Sequence, residues 1–428
     1  MSVKTAPQMD EIVNSSTKNK LVKMLYFMGR FSWVFVVLVP ILTCLRTTHA
    51  VVEKSLGRIN VQATIEGVYD SNIFSSSTEE GDFLVRFMPL AGYSKRLGPI
   101  IVDGGVGGSF GRYFSNSSED YSDPVTNFNI RMAEDFGLFS VDKRSAGKIQ
   151  FGFDTDISQK TETNEQLQDL VSYTLYSANF SLRYNHSPKF GVSGDVKYAF
   201  RDYQQLSSQG IPYSNIETYT LGASAYYIYS SKLDLFLRYQ YQINDSPGTE
   251  SHFINNNLSS FSIGADGQLT PKLTGDISFG YGVWDYHSAE VDSQDSILFH
   301  AGLNWALREK TKIGLMIDRS FAPSPQDQGM LSTSFSAQIS QRFTKRVAGT
   351  LAANYGVVDF SSFREFGPYN VRNDRTDNRY GVSLNILSSF TSYLNGRFSY
   401  AYSTTDSGYG DEFSNDRHLA SFSLVVQY

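Results

Sequence analysis

One cysteine in 428 residues excludes a disulfide scaffold and any cysteine-cluster metal site. Proline is scarce too, at 12. Long apolar runs are nearly absent, which excludes a bundle of transmembrane helices, each needing about 20 consecutive apolar residues. Basic surplus is also missing: 37 Lys and Arg stand against 43 Asp and Glu, so no nucleic-acid footprint shows. What the chain does have is aromatics, with 27 Tyr and 31 Phe contributing to an aromatic share of 14%. The picture is a large β-type chain whose apolar residues are dispersed.

The single long apolar run is Phe31 to Leu45, interrupted by Pro40 and too short to span comfortably as a helix. Lys18, Lys20, Lys23 and Arg30 precede it, and Thr48-His49-Ala50 follows as a small-residue cleavage site. Together these predict a secretory signal over residues 1–50 with a long n-region, and a mature chain over 51–428. Met24 and Met28 are alternative starts, and an uncleaved anchor is the competing reading. Cys44 follows Ile41-Leu42-Thr43, a poor lipidation site, so it is expected to leave with the signal. An exported chain then keeps no thiol. Residues 1–50 carry six Lys and Arg against two Asp and Glu, so the formal charge moves from −6 to −10 on their removal.

From Ile59 onward the dominant signal has period two. Leu233, Leu235, Leu237, Tyr239, Tyr241 and Ile243 share one phase, set against Asp234, Arg238, Gln240 and Gln242, with Phe236 the exception. Phe190, Val192, Val196, Tyr198 and Phe200 alternate with Ser193, Asp195, Lys197 and Arg201 in the same way. About eighteen such segments can be marked, each of the length a tilted strand needs to cross a bilayer. Their connections alternate in length. Short turns fall at Ser94–Gly98, Asn185–Pro188, Ser230–Ser231, Thr270–Pro271, Arg308–Thr311, Thr344–Lys345 and Ser388–Thr391, with a slightly longer one at Asp142–Gly147. Between them lie long polar loops such as Ser71–Gly81, Gln159–Leu170 and Ser361–Thr376. Aromatics of the apolar phase gather near both ends of the strands, where an amphipathic ring suits a membrane interface.

These patterns predict an all-β fold: a transmembrane antiparallel up-and-down β-barrel of about eighteen strands, with sixteen as the alternative. Short turns belong to the periplasmic rim and long loops to the extracellular one. The last segment supports this, since Phe422, Leu424, Val426 and Tyr428 alternate and end on an aromatic. That ending resembles the insertion signal of outer-membrane barrels.

Tyr69-Asp70-Ser71-Asn72-Ile73-Phe74 follows the first predicted strand. This Tyr-Asp-x-Asn-x-Phe stretch resembles the outer-membrane family known as beta-barrel porin 2. The resemblance implies a barrel in the outer membrane and an association with exopolysaccharide synthesis and export. Read from the residues themselves, Asp70, Ser71 and Asn72 favour a tight turn, and Tyr69 and Phe74 anchor a strand end at the interface.

No enzyme is expected. No glycine-rich phosphate loop, metal-spaced His/Cys cluster or cofactor motif is present. His300 is the one histidine placed mid-strand on the polar phase, and a barrel hydrolase would need it on the outer face. The polar phase reads instead as a pore lining. Its members are Arg86, Arg131, Asp135, Asp154, Asp156, Arg183, Asp195, Lys197, Arg201, Asp234, Arg238, Asp266, Asp276, His300, Asp318, Arg342, Arg346, Arg379 and Arg397. Asp154 and Asp156 are expected to be balanced by Arg131 and Arg183. The functional expectation is a porin-like passive channel for hydrophilic solutes, linked to exopolysaccharide export. A non-conducting structural or adhesion barrel is the alternative. Expected partners are outer-membrane lipids and lipopolysaccharide, the barrel-assembly machinery, and polysaccharide-export components; neither a cofactor nor a nucleic acid is.

Overall fold

The computed structural model of the chain describes residues 57–132, 149–164, 168–203, 213–247, 255–287, 292–323, 329–360, 375–408 and 410–427. The expected signal over 1–50, the turn at Asp142–Gly147, and Asp135 and Tyr428 lie outside these residues. Eighteen strands form, in chain order β1 (Arg58–Asp70), β2 (Asp82–Leu97), β3 (Ile100–Tyr113), β4 (Tyr121–Met132), β5 (Ile149–Asn164), β6 (Asp169–Asn185), β7 (Phe190–Tyr203), β8 (Ile216–Ser230), β9 (Leu233–Asp245), β10 (Asn256–Thr270), β11 (Leu273–Tyr286), β12 (Gln294–Arg308), β13 (Thr311–Pro323), β14 (Gly329–Arg342), β15 (Val347–Phe360), β16 (Thr376–Ser389), β17 (Leu394–Ser407) and β18 (Asn415–Gln427). Each strand is antiparallel to the next, and β18 closes on β1 from Gln62 opposite Gln427 to Asp70 opposite Leu419. The eighteen-strand count therefore replaces the alternative of sixteen. Closure leaves no unpaired edge, which is the condition for a sheet to sit in hydrocarbon.

Local sequence fixes the short turns. Ser187, Thr270, Thr344 and Thr391 each open a turn and accept, through the hydroxyl, the backbone N–H three residues on, at 3.0, 3.1, 2.9 and 3.0 Å. The hydroxyl takes the place of a backbone acceptor, as Ser and Thr do in tight turns. Near one of these turns stands Gly275, whose φ is +151° and where a Cβ would collide with the Gly302 carbonyl oxygen. Only glycine fits there.

The apolar phase forms the outer face. Val106, Val196, Leu221, Leu237, Ile263, Phe279, Leu351 and Val382 are exposed across the middle of the wall. Exposed rings flank them: Tyr69, Tyr219, Tyr281, Tyr355 and Tyr380 toward the long loops, and Tyr93, Tyr184, Tyr227, Tyr229, Trp305 and Tyr393 toward the short turns. The hydroxyls of the upper ring find partners on the same face. Tyr198 and Tyr219 donate to Glu217 at 2.9 and 2.8 Å, and Tyr281 donates to Asp295 at 2.5 Å. An oily band between two amphipathic girdles is the shape a bilayer imposes. Phe422 and Leu424 of the terminal pattern are exposed on this face.

One expected loop is mostly strand. The interval Gln159–Leu170 continues the β5–β6 ladder, which runs on to Asn164 opposite Asp169. β4 pairs with β5 only between Val125–Arg131 and Gly152–Ser158, so the hairpin outruns its neighbour. Its Gln-Lys-Thr-Glu-Thr sequence carries no apolar alternation because this part has no lipid to face. Thr still suits an extended backbone.

Candidate functional site: the inner wall

The polar phase is the inner face, and contacts between non-adjacent strands establish it. Arg183 on β6 lies 2.8 Å from Asp234 on β9, and Arg238 on β9 lies 2.7 Å from Asp195 on β7. Strands three and two apart are about 14 and about 10 Å apart along a sheet, so these side chains meet because they converge on the concave side. Gly222 of β8, between β7 and β9, leaves the room that the Asp195 carboxylate fills. Arg183 also lies over the Tyr226 ring at 4.2 Å, and Asp234 is fully buried.

Around the rest of the wall most acids have a partner. Glu66 pairs with Arg86 at 3.3 Å, and Arg86 donates to the Tyr121 hydroxyl at 2.9 Å. Asp103 takes Arg131 at 3.5 Å and the Asn129 amide at 2.9 Å. The expected balance of Asp154 and Asp156 by Arg131 and Arg183 does not form. Asp154 accepts from Asn179 at 3.0 Å and Asp156 from Ser158 at 2.6 Å, because both arginines reach other aspartates. Register places Asp234, Asp266 and Asp276 side by side on β9, β10 and β11. Next along, His300 sits between Asp276 and Asp318, with its ring nitrogens 2.9 and 3.0 Å from the two carboxylates. Its neighbours are therefore both acids. Lys197 and Arg201 lie on the inner phase of β7, Arg379 on that of β16 and Arg397 on that of β17. Arg342 ends β14, and Arg346 sits in the turn beyond it. From β14 to β17 the inner phase is largely neutral: Ser332, Ser334, Ser336, Gln338, Asn354, Ser383, Asn385 and Ser399.

Charge also segregates along the barrel axis. Lys95, Arg96, Lys189, Lys232, Lys272, Arg308, Lys310, Lys345 and Arg346 occupy the short-turn rim, where Glu309 is the one acid among the described turn residues. At the other rim acids hold the loops in place. Asp82 accepts from the backbone N–H groups of Ser115 and Asn116 at 3.0 and 2.7 Å, and Asp123 accepts from Thr161 at 2.8 Å. Asp377 takes Arg375 in a fork and the Ser407 hydroxyl at 2.6 Å, while Arg375 is sandwiched between Phe360 and Phe413. Tyr213, before β8, donates to Asp169 at 2.8 Å; burial and that bond push its phenol up. Nothing in the sequence spacing of these acids marks them as anchors.

Tyr69 and Phe74 divide. Tyr69 is exposed on the outer face, whereas Phe74 packs inward against a buried cluster of Val68, Ile73, Leu84, Tyr113 and Leu170. Phe74 is therefore no interfacial anchor: the chain turns into the mouth after Ser71.

The family described as Putative beta-barrel porin 2 matches residues 259–428, from within β10 to the end of the chain. The hexapeptide at 69–74 lies outside that match. No curated protein sequence matches the chain. Among solved structures, the outer membrane protein opdK from Pseudomonas aeruginosa is 12% identical, with 86% of this chain and 99% of that one covered and a TM-score of 0.47. A BenF-like porin from Pseudomonas fluorescens Pf-5 is 9% identical over 86% and 99%, with a TM-score of 0.46. Pseudomonas aeruginosa OccK2 (OpdF), solved in complex with glucuronate, is 10% identical over 86% and 97%, with a TM-score of 0.45. The eighteen-strand closure stands on this chain's own pairing. Strand closure, apolar outer belt and family match meet in one description: the chain is a porin-like β-barrel of the outer-membrane type, similar over residues 259–428 to the family described as Putative beta-barrel porin 2.

Proposed function

We propose that the chain is a passive channel for hydrophilic solutes, delivered to the outer membrane by a cleaved signal over residues 1–50 and inserted by the barrel-assembly machinery. One observation carries the reading: apart from apolar clusters near the long-loop rim, such as Val68 with Leu84 and Leu258 with Trp284, the inner phase is predominantly polar and its ion pairs lie along the wall. Barrels of 16–18 strands leave a water-filled interior unless plugged. A polar lining then lowers the cost of carrying a hydrophilic solute past hydrocarbon, with no catalytic step. The pore-lining residues are those of the polar phase, from Arg86 round to Arg397. Near-balanced charge and the neutral hydroxyl and amide wall of β14–β17 suit sugars and other uncharged or mixed solutes. Exopolysaccharide export is the physiological setting we favour, with polysaccharide-export components as partners on the basic short-turn rim.

Single-channel recording in planar bilayers tests this. Stable open steps are expected, with weak selectivity between cations and anions. The alternative, a closed structural or adhesion barrel, is favoured by the inward course of the first loop; a silent bilayer would decide for it.

The axial charge asymmetry gives a second expectation. An acidic mouth concentrates cations and a basic rim concentrates anions. Current should therefore be larger when the long-loop side is positive, because both ion types then enter through the end that favours them. At 1 M salt, with a screening length of about 3 Å, the asymmetry should flatten. A current–voltage curve symmetric at low salt would count against it.

A further inference from the structure

We propose that the Tyr69–Phe74 segment is a latch that pins the first long loop inside the mouth and so sets the bore of the channel, with Asp70, Asn72 and Arg417 as its positioning residues. This inference rests on the channel reading above.

The path of the chain argues for it. Beyond Asp70 the ladder with β18 gains two last bonds, Ser71 N–H to the His418 carbonyl at 2.9 Å and His418 N–H to the Ser71 hydroxyl at 2.8 Å. The backbone then leaves the wall. Asn72 is fully buried, and its side chain is used completely. Its carbonyl accepts from Ser76 N–H at 3.0 Å, and its amide donates to the carbonyls of Ser76 at 2.7 Å and Asp416 at 3.1 Å. The backbone N–H of Asn72 donates to Asp70 at 3.0 Å. Burying an amide in this way is tolerable only because each group finds a partner. No other short side chain offers two donors and an acceptor in that plane.

The direction of the turn follows from what Ile73 touches. It is fully buried against Val68, Leu84 and Tyr113, which belong to the inner phase of β1, β2 and β3. Thr163, near the tip of the β5–β6 hairpin, donates to the Ile73 carbonyl at 2.8 Å and accepts from Arg417 of β18 at 3.0 Å. Arg417 forks onto Asp70 in turn. Along the wall β18 and β5 are five interstrand steps apart, about 24 Å. The Arg417–Thr163 contact can exist only across the interior. Loop and hairpin tip therefore fill one side of the opening. The sequence signal at 69–74 acquires a physical reason: Asp caps and pairs, Asn satisfies the buried turn, and Ile with Phe seats it.

The experiment compares unit conductance of the full-length folded barrel with that of two variants. One is the double substitution Asn72→Ala with Arg417→Ala; the other replaces residues 72–80 by a short glycine linker. Heat-modifiable gel mobility selects folded protein, and the linker variant stands in if the double variant does not fold. Both variants are expected to raise unit conductance by about two-fold and to admit larger sugars in liposome swelling, as a wider opening requires. If the wild type conducts and a folded variant matches it, the latch is overturned and the channel stands. If the wild type is silent and a variant conducts, the latch is supported as a full plug and the open-channel reading falls. Silence of all three overturns both.

Discussion

Replacing Asp234 by alanine is expected to destabilise the barrel by about 3–5 kcal/mol, the cost of removing one partner from a buried ion pair. Asp234 is fully buried and lies 2.8 Å from Arg183, whose guanidinium is also stacked on Tyr226. Truncation leaves that guanidinium in the wall without its anion. The loss comes from the stranded charge more than from the lost attraction, so the combined replacement Arg183→Met with Asp234→Leu should cost less than Asp234→Ala alone. Breaking the pair also unties β6 from β9 across two intervening strands, so proteolytic nicking near the short turns should rise. Urea titration of the folded barrel in lipid vesicles reads the stability, and the single replacements Arg183→Met and Asp234→Leu complete the cycle around the double variant. Additive single and double losses would show that the two groups do not depend on each other.

This pair also marks where sequence reading stops. Period two assigns Asp234 and Arg183 to the same face, because a one-residue slip would exchange every lipid-facing and polar side chain. Nothing in the period says that the two meet across β7 and β8. That depends on curvature, on the reach of arginine, and on a glycine at 222 giving Asp195 its place nearby. The same limit explains Asp154 and Asp156, whose expected arginines lie on neighbouring strands but reach other aspartates. Strand positions were legible throughout, since lipid demands one unbroken oily phase over the whole wall. Loops answer to no such demand. The β5–β6 tip continues as strand without apolar alternation, and the first loop turns inward on one asparagine. Asp82, Asp123 and Asp377 look in sequence like any solvated loop acid, yet each holds hydrogen bonds that fix the rim. The family match shows the converse: it covers the regular strands from residue 259 onward, not the hexapeptide that first suggested the resemblance.

Leu221→Arg should be the most costly single change on the outer face. Leu221 lies midway along β8, is 49% exposed, and projects from the convex side beside Tyr241 and Val196. An arginine at bilayer midplane costs about 2–4 kcal/mol on a barrel wall, falling to about 0–1 kcal/mol near the interface. Tyr229, at the short-turn end of the same strand, is 61% exposed, so Tyr229→Arg should fall in the lower range. Ser336→Arg places the same group midway along β14 on the inner phase, where water and neutral hydroxyls surround it, and should cost little. The three variants differ in depth and face but not in the group introduced. Reversible urea unfolding from phospholipid vesicles gives the comparison directly. Leu221→Arg should be the largest loss, Tyr229→Arg and Ser336→Arg the smaller ones. Equal losses at Leu221 and Ser336 would mean that the two phases do not face different solvents, and the inner wall would lose its claim to be a wet one.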